Sequence, residues 1–325
     1  MKNTNQPPFT INIEILDLVA KIIEATAKFT ITHPQSIDLH LRKNNRIRSI
    51  HSSLAIENNS LSIEQVTDII NGKLVKGKQE EIKEVKNAYA AYDEILTYDP
   101  FSVTDFLKAH DLLTQGLVEE SGKFRSGDVG IYAGEQLIHA GARPIFVPQL
   151  IADLFAFGRK SELHPLVLSS IIHFEIEFIH PFSDGNGRMG RLWQTLILSK
   201  WNELFQWLPM ETVIFDNQQL YYEKLGESDK LGESTPFVTF MLQTLLTTIE
   251  KNLNNDTVND TQNETLNEQV WRLIKINPKI TITQIMKEIG KSRSTVSRCL
   301  KQLKEEGKIR RVGSDKSGEW EVGNK

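Results

Sequence analysis

The chain has 325 residues, a formal net charge of −4, and a composition that is 39% hydrophobic and 25% charged. This length predicts about two domains, and the hydrophobic content excludes a chain that is disordered throughout. No run approaches the roughly 20 apolar residues of a membrane-spanning helix, and residues 1–10 lack the apolar centre of a signal peptide. Because Cys299 is the only cysteine, an internal disulfide framework and a Cys-based zinc cluster are also excluded. We therefore expect a cytoplasmic protein with no membrane partner.

Apolar residues at helical spacing predict that most of the first 251 residues are helical. The predicted helices cover residues 11–30, 44–58, 62–71, 80–97, 105–118, 148–157, 164–179, 187–201 and 235–251. The third of these begins with a capping signature, Ser62 followed by Gln65, and stops at Gly72. The pattern breaks over residues 121–148, which are rich in glycine and proline. Within this break, residues 129–132 and 136–139 predict a short β-hairpin.

A change in composition divides the chain near residues 252–267, which are polar and predict a linker or a polar joint between helices. From residue 267 to the end there are 14 basic and 7 acidic residues, a net charge of +7, which leaves −11 on the remainder. This asymmetry predicts two domains with different partners. We expect an N-terminal helical region over 1–110, a catalytic core over 111–251, a linker over 252–267 and a basic domain over 268–325.

The most informative segment is residues 180–191, which read HPFSDGNGRMGR between two apolar helices. The proline ends the first helix, and the two glycines allow a tight turn before the second helix begins. The free N–H groups at that helix start form an anion site, and Arg188 and Arg191 add guanidinium groups suited to phosphate oxygens. Asp184 suits Mg²⁺, and His180 is a candidate general base for a hydroxyl. The segment therefore predicts Mg²⁺-assisted transfer from a nucleotide polyphosphate to a hydroxyl group.

Each part of this segment also has a purely structural interpretation, as a helix cap, a turn or a solvated helix face. His173, Glu177 and His180 share one helical face, which on its own would also suit a metal. The combination within twelve residues is what favours a reactive site.

The segment resembles the Fic family motif H-P-F-x-D-G-N-G-R-x-x-R at every defined position. The resemblance implies a mainly α fold: a Fic-type helical core with a β-hairpin flap, here joined to a small C-terminal domain. It implies transfer of AMP from ATP to a Ser, Thr or Tyr hydroxyl of a protein, with His180 as base and Asp184 as the Mg²⁺ ligand. Phe182 would anchor the loop in the core, and an upstream His and Glu would support it. Phosphate binding is implied for Gly185, Asn186, Gly187, Arg188 and Arg191.

Two further carry-overs from the family concern substrate contacts. The predicted hairpin lies where Fic proteins have a flap that docks the target by main-chain pairing; an ordinary surface hairpin is the alternative. A tyrosine pair, Tyr221 and Tyr222, follows the motif where the family places adenine-side residues, although such a pair also suits a core. The flap residues are Val129, Gly130, Ile131, Tyr132, Leu137, Ile138 and His139.

Residues 53–58 read Ser-Leu-Ala-Ile-Glu-Asn and match a second family element, the inhibitory helix motif Ser/Thr-x-x-x-Glu-Gly/Asn. Ser53 and Glu57 would share a helix face. The resemblance implies that Glu57 pairs with Arg191 and restrains transfer in cis, within an inhibitory helix at about 44–58. The alternative is a capped helix end with a solvated glutamate. In some Fic proteins the same glutamate positions water for removal of AMP, so a de-AMPylating hydrolase stays open as a second activity.

The basic C-terminal segment predicts three helices, at 270–276, 283–289 and 292–306, followed by strands at 308–312 and 319–322. This order resembles a winged helix-turn-helix, with 292–306 as the recognition helix. DNA and protein are both candidate partners for such a module, so a nucleotide-sensing DNA-binding regulator is a further alternative. The implied substrate and cofactor are ATP and Mg²⁺. The target is a protein, with this chain itself and a homodimer among the options.

Overall fold

A computed structural model describes residues 6–32, 39–133, 136–259, 266–312 and 319–322. The chain forms two compact units, Met1–Lys251 and Asn252–Lys325, which are described separately. Among the described residues, no helix has both the length and the apolar content needed to cross a bilayer. The predicted mainly helical class is confirmed.

The first unit is built from eleven described helices and one hairpin. Two short 3-10 helices, Ile95–Thr97 and Glu203–Gln206, and a third at Pro144–Phe146 connect them. The helices are α1 (Ile13–Thr32), α2 (Leu39–Ile56), α3 (Ile63–Ile70), α4 (Gln79–Asp93), α5 (Val103–Thr114), α6 (Val147–Lys160), α7 (Pro165–Ile179), α8 (Asn186–Trp201), α9 (Met210–Asp216), α10 (Gln218–Leu231) and α11 (Thr235–Asn259).

Helices α7 and α8 form the centre of this unit. Both are buried around nearly their whole circumference: α7 is apolar on most sides, whereas α8 also buries polar side chains, among them Arg188, Arg191 and Gln194. Trp193 of α8 is fully buried, stacks near Phe155 and Tyr98, and donates its indole N–H to the carbonyl of Pro100 at 2.8 Å. This donation satisfies the one polar group of a large aromatic side chain. The motif segment therefore starts α8 from a rigid part of the core.

The N-terminal ends of several helices are capped as the sequence predicts. Ser62 accepts a hydrogen bond from the Gln65 N–H, and the Gln65 side chain accepts from the Ser62 N–H, which completes a capping box. Gly72 has φ +77° just after α3, so the glycine stop is also confirmed.

Three features differ from the sequence predictions. The helix predicted at 44–58 is α2, which spans Leu39–Ile56, so Glu57 lies just past its end. No element was predicted between residues 202 and 234, yet α9 and α10 lie there. In α10 only Tyr221 and Ser228 are buried, so this helix carries almost no apolar periodicity. The end of α11 was predicted at Lys251, but the helix continues to Asn259, because the polar residues that follow include no proline or glycine to stop it. Residues 260–265 of the predicted linker lie outside the described residues.

The predicted hairpin is present as β1 (Gly130–Ala133) and β2 (Gln136–Ala140). The strands are antiparallel, with Gly130 opposite Ala140 and Ala133 opposite Gln136, and the register shifts between Ile131 and Tyr132. The residues of its turn, 134 and 135, lie outside the described residues.

The second unit contains α12 (Leu266–Ile276), α13 (Ile282–Ile289), α14 (Arg293–Glu305), β3 (Ile309–Val312) and β4 (Glu319–Val322). Thr281 forms a capping box with Gln284, and Gly290 ends α13 at φ +66°. Trp320 of β4 is buried against the helices and donates its indole N–H to the carbonyl of Ile280 at 3.2 Å. The predicted order of three helices and two paired strands is therefore observed; the turn at 313–318 lies outside the described residues.

Candidate active site

The loop between α7 and α8 has a backbone conformation set by two left-handed residues. His180 ends α7 with φ +52°, and its N–H donates to the Ile176 carbonyl at 3.0 Å. Gly185 precedes α8 with φ +86°, a conformation that glycine adopts without strain. Pro181 prevents α7 from continuing. Ser183 and Asp184 are thus exposed and His180 is partly exposed at the start of α8, whereas Pro181 and Phe182 are buried.

Asn186 closes this loop from inside. Its side-chain amide donates to the Phe182 carbonyl at 2.9 Å, and its side-chain oxygen accepts from the Phe182 N–H at 2.9 Å. Phe182 itself is fully buried, in agreement with its predicted anchoring role. Asn186 was predicted as a phosphate-cradle residue, but its side chain is occupied within the loop. Of Asn186, only the backbone N–H at the helix start is therefore available to bind phosphate.

His110 of α5 supports the loop, and the sequence analysis did not identify it. Its ring stacks on Phe182 with centroids 3.6 Å apart. The Gly122 N–H donates to Nδ1 at 3.1 Å, so Nε2 carries the proton and donates to the Asp184 carbonyl at 3.0 Å. Burial lowers the pKa of His110 to about 4. The ring is therefore neutral at pH 7 and acts as a fixed support beneath the loop.

Arg125 is a second support that the sequence analysis missed. It is almost fully buried, and its guanidinium donates to backbone carbonyls on both sides of the loop: His180 at 2.6 Å, Gly127 at 2.8 Å, and Ala142. It thereby ties the end of α7 to the segments that flank the hairpin. The only sequence signal would have been a lone arginine within a glycine-rich stretch.

A hydrogen bond to the backbone defines the tautomer of the His180 ring. Nδ1 lies 3.3 Å from the Glu177 carbonyl, and since a carbonyl can only accept, Nδ1 carries the proton. Nε2 is therefore the basic nitrogen. The side chain is partly exposed at the loop entrance, so a hydroxyl group can approach it.

Asp184 and Arg188 form an ion pair at the start of α8. Arg188 Nη2 donates to Asp184 Oδ2 at 2.9 Å, and the Gly185 N–H donates to Asp184 Oδ1 at 2.6 Å. The carboxylate of Asp184 is 57% exposed, whereas Arg188 is 4% exposed. On its other side, Arg188 Nη1 lies 3.3 Å from Oε1 of Glu84 in α4. Glu84 was not identified by the sequence analysis.

Arg191 is fully buried and is held by the end of α2. Its Nε donates to Ser53 Oγ at 3.0 Å, and its Nη2 donates to the Ser53 carbonyl at 3.0 Å and to Glu57 Oε1 at 2.7 Å. Burial opposes the charge, but the carboxylates of Glu57 and Glu177 raise the pKa of Arg191, so it stays ionised. Among the described residues, its Nη1 has no hydrogen-bond partner.

Gly187 leaves the space in which Glu57 sits. A Cβ atom at Gly187 would lie 2.3 Å from Glu57 Oε1 and 3.0 Å from Arg191 Nη1. The glycine thus permits the glutamate to enter the start of α8, where it faces the N–H groups expected to bind phosphate.

The two tyrosines of α10 have different environments. Tyr221 is 1% exposed and its hydroxyl is paired with His173 Nε2 at 3.1 Å, so it belongs to the core. We therefore remove it from the expected adenine-side residues. Tyr222 is 48% exposed, and its hydroxyl lies 3.5 Å from the Ile56 carbonyl at the end of α2. Gln218 donates to the same carbonyl at 2.9 Å, so α10 borders the end of α2.

His173 and Glu177 lie beneath the site rather than in it. His173 is fully buried between Gln194 and Tyr221, and Glu177 Oε1 is 3.7 Å from its Nε2. Among the described residues, no group of three or more His, Cys, Asp or Glu side chains is placed to hold a metal.

The predicted flap residues lie on β1 and β2, except Val129, which directly precedes β1. Ile131 is opposite His139, and Tyr132 is opposite Leu137. The Gly141 N–H donates to the Val129 carbonyl at 3.1 Å, next to the carbonyl-binding site of Arg125. The side chains of residues 131–140 lie outside the described part of the chain.

Comparison with known proteins identifies relatives of both units. A sequence profile of the Fic/DOC family matches residues 100–198, and a winged helix-turn-helix DNA-binding profile matches residues 271–310. Protein adenylyltransferase Fic of Nematostella vectensis is 26% identical over 217 residues, and protein adenylyltransferase fic-1 of Caenorhabditis elegans is 28% identical over 214. These alignments cover 63% and 62% of this chain, but only 48% and 40% of the relatives. The chain thus spans less than half the length of these curated relatives.

Two solved structures extend the comparison. A crystal structure of a Fic family protein from Desulfovibrio desulfuricans G20 is 42% identical, with a TM-score of 0.77, and the match covers 98% of this chain and 99% of that one. Fic-1 from C. elegans (residues 134–508) is 22% identical, with a TM-score of 0.60, and covers 74% of this chain and 71% of its own. The second similarity concerns the fold alone.

Proposed function

The chain belongs to the Fic family, and from this premise we propose that it is a protein adenylyltransferase. It would transfer AMP from ATP to a Ser, Thr or Tyr hydroxyl of a protein and release pyrophosphate. The observation that carries the proposal is the loop between α7 and α8, which brings a basic imidazole nitrogen, an exposed carboxylate and a helix start to one place. The curated relatives named protein adenylyltransferases support the same activity.

The triphosphate would bind at the start of α8. The backbone N–H groups of Asn186 and Gly187 lie at this helix start, whereas the Gly185 N–H donates to Asp184 Oδ1 and would have to be released before it could bind phosphate. Arg188 and Arg191 supply positive charge. The unpartnered Nη1 of Arg191 noted above is a donor suited to a phosphate oxygen. The adenine ring of ATP would lie towards α10, where Tyr222 offers an exposed ring for stacking.

The donors at this site also fit Mg²⁺. Asp184 has an exposed carboxylate beside the expected phosphates, and Mg²⁺ is commonly held by one or two carboxylates together with phosphates and water. When bound, Mg²⁺ would supply charge neutralisation and orientation of the phosphates. Arg188, which donates to the same carboxylate, would keep Asp184 in position.

His180 would remove the proton from the target hydroxyl. The hydroxyl oxygen would form a bond to the α-phosphorus, and the bond from that phosphorus to the bridging oxygen would break, releasing pyrophosphate. The proton would pass to Nε2 while Nδ1 remains bonded to the Glu177 carbonyl. The target segment would dock along the β1–β2 hairpin by main-chain hydrogen bonds.

Glu57 would restrain this reaction in cis. Its carboxylate occupies Arg191 and lies where the phosphates would enter, so ATP would bind in a pose unsuited to in-line attack. The second candidate activity, removal of AMP from a modified protein, is favoured by the same observation. Glu57 is one-third exposed, so it can also orient a water molecule.

The proposal predicts that the protein gains the mass of one AMP, on itself or on an added target, when it is incubated with ATP and Mg²⁺. Intact-mass spectrometry measures this gain, and α,β-non-hydrolysable ATP is the control. A parallel incubation with a pre-AMPylated protein measures release of AMP. A gain in mass without release of AMP supports transfer, and release without a gain in mass supports the hydrolase. If neither wild type nor Glu57→Gly gives either product, both activities are contradicted.

For the second unit we propose DNA binding through α14. Ser292 caps this helix, and Arg293, Arg298 and Lys304 are exposed along it. Exposed basic residues on a recognition helix favour contact with phosphates, and such binding weakens as salt rises.

We expect the full chain to retard duplex DNA at low salt, and Arg293→Ala combined with Arg298→Ala to weaken this retardation at least tenfold. A gel-shift titration with unrelated duplexes over a range of salt concentrations measures it. Lys21→Ala, which removes an exposed basic residue from the first unit, is the matched control. If the wild type does not retard DNA, or if the double variant retards it as strongly as the wild type does, protein docking is favoured instead.

A further inference from the structure

We propose that Glu84 is a further residue of the nucleotide site, where it neutralises Arg188 and so weakens binding of the ATP triphosphate. This inference rests on the proposed function, because it assigns a second carboxylate to the same site. Neither the motif nor the inhibitory segment includes this residue, which lies on α4.

The first observation is the contact itself. Glu84 Oε1 lies 3.3 Å from Arg188 Nη1, across 104 residues of sequence. Arg188 is 4% exposed and Glu84 is 23% exposed, so solvent screens this pair only in part. Arg188 therefore lies between two carboxylates, Glu84 on one side and Asp184 on the other.

The second observation links Glu84 to the segment that carries Glu57. Asn59, two residues after Glu57, donates its side-chain amide to Glu84 Oε2 at 2.7 Å and to the Glu81 carbonyl at 3.2 Å. Asn59 is itself buried and donates its N–H to the Leu54 carbonyl of α2. The end of α2 thus fixes the carboxylate that faces Arg188, as well as the one that faces Arg191.

The charges then explain what the pair does. Arg191 is paired with Glu57, and Arg188 is shared between Glu84 and Asp184, so three carboxylates face two guanidinium groups. A triphosphate would enter a site whose two guanidinium groups are already neutralised. Any phosphate oxygen that contacts Arg188 would lie within a few ångströms of the Glu84 carboxylate, and like charges at that separation repel. Glu84 therefore opposes nucleotide binding without touching the target hydroxyl.

The test is Glu84→Gln, which keeps the size and one hydrogen-bonding oxygen but removes the charge. We expect its dissociation constant for Mg²⁺-ATP, measured by titration calorimetry, to fall about tenfold, as suits one partly screened charge interaction. The difference in dissociation constant between wild type and Glu84→Gln should become smaller as the salt concentration is raised. Glu80→Gln removes an exposed carboxylate from the first turn of the same helix, and it should leave affinity near that of wild type.

Affinity that is unchanged or weaker in Glu84→Gln would overturn the inference. A merely structural role would lower the melting temperature and weaken binding at every salt concentration, which is the opposite result. Calorimetry requires no turnover, so the outcome is independent of the proposed reaction. A protein that binds ATP more tightly with Gln at this position but transfers no AMP would support Glu84 and contradict the adenylyltransferase.

Discussion

Replacing His180 with alanine is expected to lower the rate of AMP transfer by about 10²–10⁴-fold and to leave ATP affinity close to its original value. The reason is that Nε2 is the only basic nitrogen that the loop presents, while the phosphates would be held by the helix start and the arginines. Transfer should be measured in the Glu57→Gly background, where the starting rate is high. Labelled ATP reports the rate, and calorimetry reports the affinity.

The backbone at position 180 requires a matched control. His180 has φ +52°, a left-handed conformation that alanine adopts with strain and asparagine adopts readily. His180→Asn should therefore preserve the loop while removing the base, and we expect it to be as inactive as the alanine variant. Activity in His180→Asn would mean that the alanine variant failed through loop geometry, and it would remove His180 from the chemistry.

Glu57→Gly is expected to raise the rate of AMP transfer at least tenfold, which corresponds to about 1.4 kcal/mol of barrier. The substitution frees Arg191, whose Nη2 now donates to Glu57 at 2.7 Å, and opens the space beside Gly187. Phosphate oxygens could then reach the guanidinium and the helix start. Self-labelling with labelled ATP and Mg²⁺ measures the change.

Folding stability gives this prediction a second readout. Removing one partner of a largely buried ion pair leaves the other charge uncompensated, so Glu57→Gly should also unfold at lower temperature than wild type. A loss of stability without an increase in activity would show that the substitution only disturbs the fold. Arg191→Ala should cancel the gain when it is combined with Glu57→Gly. A Glu57→Gly variant no faster than wild type at transfer, and slower at releasing AMP, would instead assign Glu57 to hydrolysis.

The agreement between the predicted and the observed elements varies along the chain. Helices α7 and α8 were predicted within one residue at most ends, because long apolar runs bounded by proline and glycine identify helices strongly. The Fic-type helical core and the winged helix-turn-helix are confirmed by the family matches. Helices α9 and α10 were missed, because α9 is short and α10 is stabilised by tertiary contacts rather than by its own pattern.

The sequence alone determined the parts of the site that are local. The residues from His180 to Arg191 are joined by a turn and one helix start, so proline, glycine and side-chain chemistry suffice to predict their arrangement. The pairing of Glu57 with Arg191 was implied by the family motif, but the supports His110 and Arg125 and the contact between Glu84 and Arg188 could be decided only by the tertiary structure. His110 lies 74 residues from the loop carbonyl that it binds, and Glu84 lies 104 residues from Arg188. No local pattern encodes such contacts, because they depend on how α4 and α5 pack around the start of α8.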